Sequence, residues 1–278
     1  MKKFGLIGHP VAHSLSPALF KAAYDGKYIY DLIEGDDFEN SYRRFIDEYD
    51  AINVTAPFKE LAFRKAEGFS NECKAVGAAN ILKKSSNPLS VYADNSDIAG
   101  VAGALRSAGL EENCSKKALV AGCGGAAMAA VYAIWSEFNC STVVVNRSLE
   151  KAEKFVERMK LTSPLKTQLA AAPIDEFETL FKESDIIIYT LPVAIPALEQ
   201  ICTGMVKEES EYAVSGKIIL EANYKDPAFT PEMLGKLCRV TPEIVYVSGK
   251  EWLLQQAVEA YRSFTGEEPN IEAMRKVL

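Results

Sequence analysis

Short apolar runs and amphipathic stretches alternate along the first hundred residues. KFGLIG is followed by a segment with helical spacing opened by Ser16 and Pro17, then by YIYDLI, a polar helix, AINVT, and a helix with Pro57 at its start. This is a β-α-β-α-β rhythm. After a less regular stretch through ANIL and SVYA, Ser96 can cap a helix running toward Ala108, and Glu111 to Lys117 reads as a polar connection, which puts a boundary near residue 100. The second half resumes the alternation with KALVAG, a glycine turn into the small-residue segment AAMAAVYAIW, STVVV, a charged helix from about Ser148, DIIIYT and KIIL. Such a pattern predicts a doubly wound sheet with helices on both faces. From Glu251 onward, Trp252, Leu253, Leu254, Ala257, Val258 and Tyr261 carry the spacing of a long amphipathic helix. The fold class predicted is α/β in two domains, 1–100 and 101–250, with the C-terminal helices of 251–278 packing back on the first.

Composition narrows the chemistry. A length of 278 residues with 48% hydrophobic content suits two packed domains. The net charge of -7 and a pI near 5.2 disfavour phosphate backbones and anionic lipid, so neither nucleic acid nor membrane is expected as a partner. The opening MKKFGLIGHP is too short for a signal-peptide core, and no run approaches the roughly 18 apolar residues of a membrane span. A soluble cytoplasmic protein, monomer or homodimer, is expected. Six widely spaced cysteines and two histidines, His9 and His13, argue against a zinc site and a disulfide framework. With no metal expected, catalysis falls to Lys, Asp, Ser or Tyr, or to an organic cofactor.

Gly122-Cys123-Gly124-Gly125-Ala126-Ala127 follows the KALVAG strand and opens a helix, matching G-x-G-x-x-A in the context that gives that pattern meaning. The first glycine permits a tight turn, the second lets backbone N–H groups approach a pyrophosphate, and the small third residue lets helix and strand pack closely. Standing alone, the motif could equally be a glycine turn between packed elements. About 25 residues after the first glycine, close to the roughly 20 expected, the next strand ends in Asn146-Arg147-Ser148. An NAD site places a carboxylate there. An arginine can instead pair with a 2'-phosphate and stack on adenine, so NADP is the expected cofactor of a Rossmann-like second domain.

In the first half, polar residues gather at strand ends in His13-Ser14-Leu15-Ser16-Pro17, Asn53-Val54-Thr55-Ala56-Pro57-Phe58-Lys59, Gly77-Ala78-Ala79-Asn80 and Asp94-Asn95-Ser96-Asp97. Each taken singly could be capping or turn chemistry. Together and in this order, ahead of the glycine turn and the Asn-Arg-Ser strand end, they resemble the shikimate dehydrogenase family across essentially the whole chain. The resemblance implies an N-terminal substrate domain and an NADP-dependent interconversion of shikimate and 3-dehydroshikimate. It implies hydroxyl donors to the substrate carboxylate at Ser14 and Ser16, and partners of the ring hydroxyls at Asn53, Thr55, Asn80 and Asp97. Lys59 is implied as catalytic acid or base with Asp97 beside it, and Tyr224 and Gln256 as further pocket residues. Gly122, Gly124, Gly125, Ala126, Asn146, Arg147, Ser148, Thr190 and Gly249, the last in the loop before Gln256, fall at cofactor positions.

Several positions depart from the family pattern. Ser96 replaces threonine and keeps the hydroxyl, Thr190-Leu191-Pro192 replaces an N-A-T-like loop near the nicotinamide, Glu251 replaces a glycine, and Phe20-Lys21 replaces His-Asn. The lysine and aspartate are untouched by these changes. Oxidising a secondary alcohol needs a hydride acceptor about 3 to 3.5 Å from the carbon and a group for the hydroxyl proton. Clustered hydroxyls and amides also suit a polyol acid. Two alternatives stay open: a quinate/shikimate dehydrogenase of broader substrate or cofactor use, and a non-catalytic protein that binds NADP or a metabolite on the same fold.

Overall fold

The computed structural model describes residues 2–85, 90–162, 168–207, 216–241 and 243–278. It divides into two compact units, Met1–Gly100 with Leu253–Leu278, and Val101–Trp252.

The first unit runs β1 (Lys3–Gly8), α1 (Ser16–Ala23), β2 (Ile29–Glu34), α2 (Phe38–Glu48), β3 (Ala51–Val54), α3 (Lys59–Lys65), β4 (Gly68–Phe69), α4 (Asn71–Val76), β5 (Ile81–Lys84), β6 (Val91–Asp94) and the start of α5 (Asp97–Ser107). Its sheet has the order β2-β1-β3-β5-β6-β4. The β-α-β rhythm accounts for the parallel pairs β1/β2 and β1/β3, whereas β5 runs antiparallel to both β3 and β6, a reversal that the alternation does not predict. Strand residues alternate between two cores. Phe4 and Ala51 face a cluster with Leu19 and Phe20, while Ile7, Ile52 and Val54 face one with Phe38, Phe45 and Ala62.

The second unit continues with β7 (Lys117–Ala121), α6 (Gly125–Ala133), a π-helical turn at Ile134–Phe138, β8 (Ser141–Asn146), α7 (Leu149–Thr162), β9 (Leu169–Pro173), α8 (Phe177–Glu183), β10 (Ile186–Tyr189), α9 (Pro196–Lys207), β11 (Ile218–Glu221), α10 (Pro231–Val240) and β12 (Val245–Val247). Its sheet, β12-β11-β10-β7-β8-β9, is parallel throughout. The order reverses beside β7, and in such sheets ligands bind beyond the strand ends at that switch point. The chain then enters α11 (Gly249–Thr265) and α12 (Ile271–Arg275). Leu254, Ala257, Val258, Tyr261, Phe264 and Met274 from these helices join the Phe4 and Phe20 cluster of the first unit.

Two helix starts differ from expectation. Ser16 does not cap α1 but is its first residue, its N–H taken by Ser14 Oγ at 3.2 Å. Pro57 precedes the cap residue Phe58, so α3 begins at Lys59.

Lys217, just ahead of β11, is 2% exposed and donates to the carbonyl oxygens of Lys182, at 3.0 Å, and of Ser184. Burial pulls its ammonium from the ordinary 10.5 down to about 8, against a smaller opposing pull from Asp185. Between those two values the unfolded chain binds more protons than the folded one, so this side chain's contribution to stability rises with pH across that window. Urea unfolding of the wild type and of Lys217→Met should therefore give a difference in stability that shifts toward the wild type from pH 8 to pH 10.5. A constant difference would mean that the buried ammonium keeps its ordinary affinity for the proton.

Candidate active site

In the first unit, Lys59 Nζ lies 2.5 Å from Asp97 Oδ2, with the two side chains 27% and 9% exposed. Both ends of the pair are fixed by backbone. The Lys59 carbonyl accepts from Ala79 N–H, and Asp97 N–H donates to Asn95 Oδ1 at the first turn of α5. Asn95 Nδ2 in turn donates to the Ala78 carbonyl at 2.8 Å, so the Gly77–Asn80 and Asp94–Asp97 segments are laced together.

Asn80, at the start of β5 and almost fully buried, is the hub of this arrangement. Its Nδ2 lies 3.0 Å from Asp97 Oδ1, 3.1 Å from Ser96 Oγ and 3.1 Å from Gln256 Oε1, and its Oδ1 accepts from Ser96 N–H at 2.8 Å. Its amide is saturated within the protein. The hydroxyl of Ser96 thus faces Asn80 rather than capping α5.

The remaining segments join through Asn53. Its Nδ2 donates to the Asn80 carbonyl at 3.1 Å, and Thr55 sits two residues on, with its N–H bonded to the Ile7 carbonyl. A side chain at Gly8 would strike the Thr55 methyl at 2.4 Å, so the glycine is what lets β1 and the Thr55 turn approach. Ser14 Oγ and Ser16 Oγ are 3.1 Å apart, and the Ser16 carbonyl accepts from Tyr261 Oη at 3.0 Å. The structure therefore brings Ser14, Ser16, Asn53, Thr55, Lys59, Asn80, Asp97 and Gln256 into one unit. Tyr224 belongs to the other, in the segment after β11. That segment is anchored by buried Glu221, which accepts from the N–H groups of Ala228 and Phe229 and from Tyr246 Oη. Burial pushes the Tyr224 phenol up.

In the second unit, Gly122 closes β7 at a φ of +107°, a conformation that favours glycine, and a side chain there would meet Thr190 Oγ1 at 2.5 Å. Thr190 itself donates through Oγ1 to the Ala121 carbonyl at 2.7 Å. A Cβ built on Gly124 or Gly125 would meet nothing within 4 Å, and no side chain caps α6. The first N–H groups of this helix, which a helix cannot satisfy internally, have no side-chain cap. This fits a dinucleotide's pyrophosphate.

At the end of β8, Asn146 Nδ2 donates to the Ser148 carbonyl and Ser148 Oγ accepts from Lys151 N–H at the start of α7. Arg147 is exposed and has no carboxylate partner among the described residues. The sequence reading missed Lys151. Its charge partly offsets the burial that raises the Cys123 thiol, which places a second cation beside the glycine turn. Gly249, expected in a loop, is instead the first residue of α11. A side chain there would lie 2.4 Å from the Ala222 carbonyl oxygen, so helix-to-strand packing already demands a glycine.

The chain is similar to known proteins along most of its length. Residues 6–82 match the shikimate dehydrogenase substrate binding domain, 104–212 the shikimate / quinate 5-dehydrogenase family, and 253–278 the shikimate 5'-dehydrogenase C-terminal domain. A shikimate dehydrogenase (NADP(+)) of Caldanaerobacter subterraneus is 30% identical over 96% of this chain and 92% of its own length. The chain belongs to the shikimate dehydrogenase family. Its relative from Methanopyrus kandleri, also a shikimate dehydrogenase (NADP(+)), is 28% identical over 99% of this chain and 93% of its own. Among solved structures, shikimate dehydrogenase of Mycobacterium tuberculosis superposes with a TM-score of 0.78 at 27% identity, covering 100% of this chain and 98% of that one. A quinate dehydrogenase of Corynebacterium glutamicum, solved with NAD, shares the fold at a TM-score of 0.82 and 18% identity, over 99% and 98% of the two chains. Among the described residues no helix is long and apolar enough to cross a membrane, and no cluster of His, Cys, Asp and Glu could hold a metal ion.

Proposed function

We propose that the chain is an NADP-dependent shikimate dehydrogenase, reversibly reducing 3-dehydroshikimate to shikimate in the cytoplasm as a step of aromatic amino acid biosynthesis. The observation that carries this reading is the 2.5 Å contact of Lys59 with Asp97, held by an Asn80 amide that also reaches Gln256. NADP, when bound, supplies or accepts the hydride. Lys59 gives a proton from Nζ to the carbonyl oxygen during reduction and recovers it from the hydroxyl during oxidation. Asp97 holds Lys59 Nζ in place through Oδ2 and meets a ring hydroxyl. With Asn80 saturated by its neighbours, its part is to aim Asp97 and Gln256, and direct contact with the ring falls mainly to Asn53, Thr55, Gln256 and Tyr224.

Ser14 and Ser16 meet the substrate carboxylate with neutral hydroxyl donors. The residues 1–100, joined by the C-terminal helices, form the substrate domain, and 101–250 the NADP domain. There Gly122, Gly124, Gly125 and Ala126 receive the pyrophosphate at the start of α6. Asn146, Arg147 and Ser148 receive the adenosine 2'-phosphate, and Thr190 and Gly249 lie toward the nicotinamide.

Following NADPH or NADH formation with shikimate and with quinate, each with NADP and NAD, tests the reading. Shikimate with NADP should give the highest kcat/KM, by more than about tenfold over either replacement, because groups built to hydrogen-bond one polyol discriminate strongly against another. Binding of NADP without turnover, or turnover with quinate alone, would overturn it.

A further inference from the structure

Tyr30 belongs to none of the motifs read from the sequence, yet its hydroxyl reaches the substrate residues. It projects from β2 with Oη 2.8 Å from Asn53 Oδ1. Its ring packs on Phe20, at 4.7 Å between centroids, and on Tyr261, at 5.9 Å. The direction of every hydrogen bond in this group follows from its fixed members. The Asn80 carbonyl can only accept, so the Asn53 side chain must turn its Nδ2 toward it, which leaves Oδ1 facing Tyr30. Tyr30 must then donate its hydroxyl proton to Oδ1. Likewise the Ser16 carbonyl can only accept, so Tyr261 donates there. Among the described residues, Asn53 Nδ2 has one acceptor, the Asn80 carbonyl, which leaves its second N–H for a ligand.

Resting on the proposed reaction, we infer that Tyr30 is a positioning residue that locks the Asn53 amide so that it presents an N–H donor to a ring hydroxyl oxygen of the substrate. The surroundings support this role. Burial pushes the Tyr30 phenol well above its usual range, so the hydroxyl keeps its proton and stays a donor. The lock has two ends, Tyr30 on Oδ1 and Asn80 on Nδ2, and loss of the first leaves Oδ1 without its partner and the amide free to tilt away from the ligand. Tyr30 Oη meets Asn53 directly and is also influenced by the neighbouring Ser16 and Tyr261 hydroxyls, while none of its contacts among the described residues is with Lys59, so it should govern substrate binding and leave proton transfer at Lys59 alone.

The test is a double-mutant cycle on the whole enzyme. Tyr30→Phe should raise the KM for shikimate about three- to tenfold, as loss of one hydrogen bond does, with kcat and the KM for NADP within about twofold of wild type. In an Asn53→Ala background the same change should have a clearly smaller effect on the shikimate KM, because the amide that Tyr30 holds is gone. Should Asn53→Ala fail to fold, Asn53→Ser serves as the second background, with thermal unfolding as the check on folding. An unchanged KM in Tyr30→Phe, an equal rise in both backgrounds, or a fall in kcat at constant KM would overturn the inference while leaving the shikimate reaction standing. A wild-type enzyme inert toward shikimate would overturn both.

Discussion

Replacing Lys59 with alanine is expected to lower kcat for shikimate oxidation by at least about a hundredfold while NADP binds as before. General acid–base groups contribute about 10²- to 10⁴-fold, and no other ammonium or imidazole is hydrogen-bonded to Asp97 among the described residues. Lys59→Arg should fail almost as badly, because a guanidinium keeps the charge but does not release a proton at neutral pH. Asp97→Ala should also fall mainly in kcat, since Asp97 Oδ2 is what holds Lys59 Nζ. If the two act as one unit, the double variant will be far less than multiplicatively worse than either single one. Steady-state kinetics in both directions measures this. Near-normal kcat in Lys59→Ala with only a raised shikimate KM would make the lysine a binding group and route the proton elsewhere.

The second large effect is expected at Arg147. Arg147→Ala should raise the KM for NADP by one to two orders of magnitude, equivalent to about 1.4 to 2.7 kcal/mol, and leave NAD nearly unaffected. The geometry favours a single-residue effect of this size, because Arg147 is exposed and has no carboxylate among the described residues to compete for its guanidinium. Equal losses for NADP and NAD would take Arg147 off the 2'-phosphate.

The parallel strands were legible in the sequence because KFGLIG, YIYDLI, STVVV and DIIIYT each concentrate apolar residues over a strand's length. The elements that escaped notice have weak signals of their own. β9 contains Ala170, Ala171 and Ala172, poor strand formers that adopt the conformation beside Val143, Val144 and Val145 of β8. β4 is two residues long, and β5 falls in ANIL, where the alternation is less regular, with its reversed direction set by pairing across the sheet rather than by local pattern. The candidate site divides the same way. The family resemblance implied Lys59, Asp97 and Asn80, but the sequence does not reveal that the Asn80 amide is saturated by Ser96, Asp97 and Gln256. Tyr30 and Tyr261 read as ordinary core aromatics. Only the need of a buried phenol for a hydrogen-bond partner marks them, and the partner becomes visible in three dimensions.

The first unit takes its final helices from the far end of the chain, after the whole of the second has been threaded through. Chains leave the ribosome N-terminus first, so Val101–Trp252 is free to fold while the Phe4 and Phe20 face of the first sheet still waits for Leu254, Val258, Tyr261 and Phe264. Each of those side chains contributes about 1.5 to 3 kcal/mol when buried, so the waiting sheet is short of much of its core until they have been made. Gln256 and Tyr261 arrive with them. A nascent chain truncated before residue 253 would thus lack the residues with which α11 and α12 complete the core of the first unit, while every residue of the second had been made.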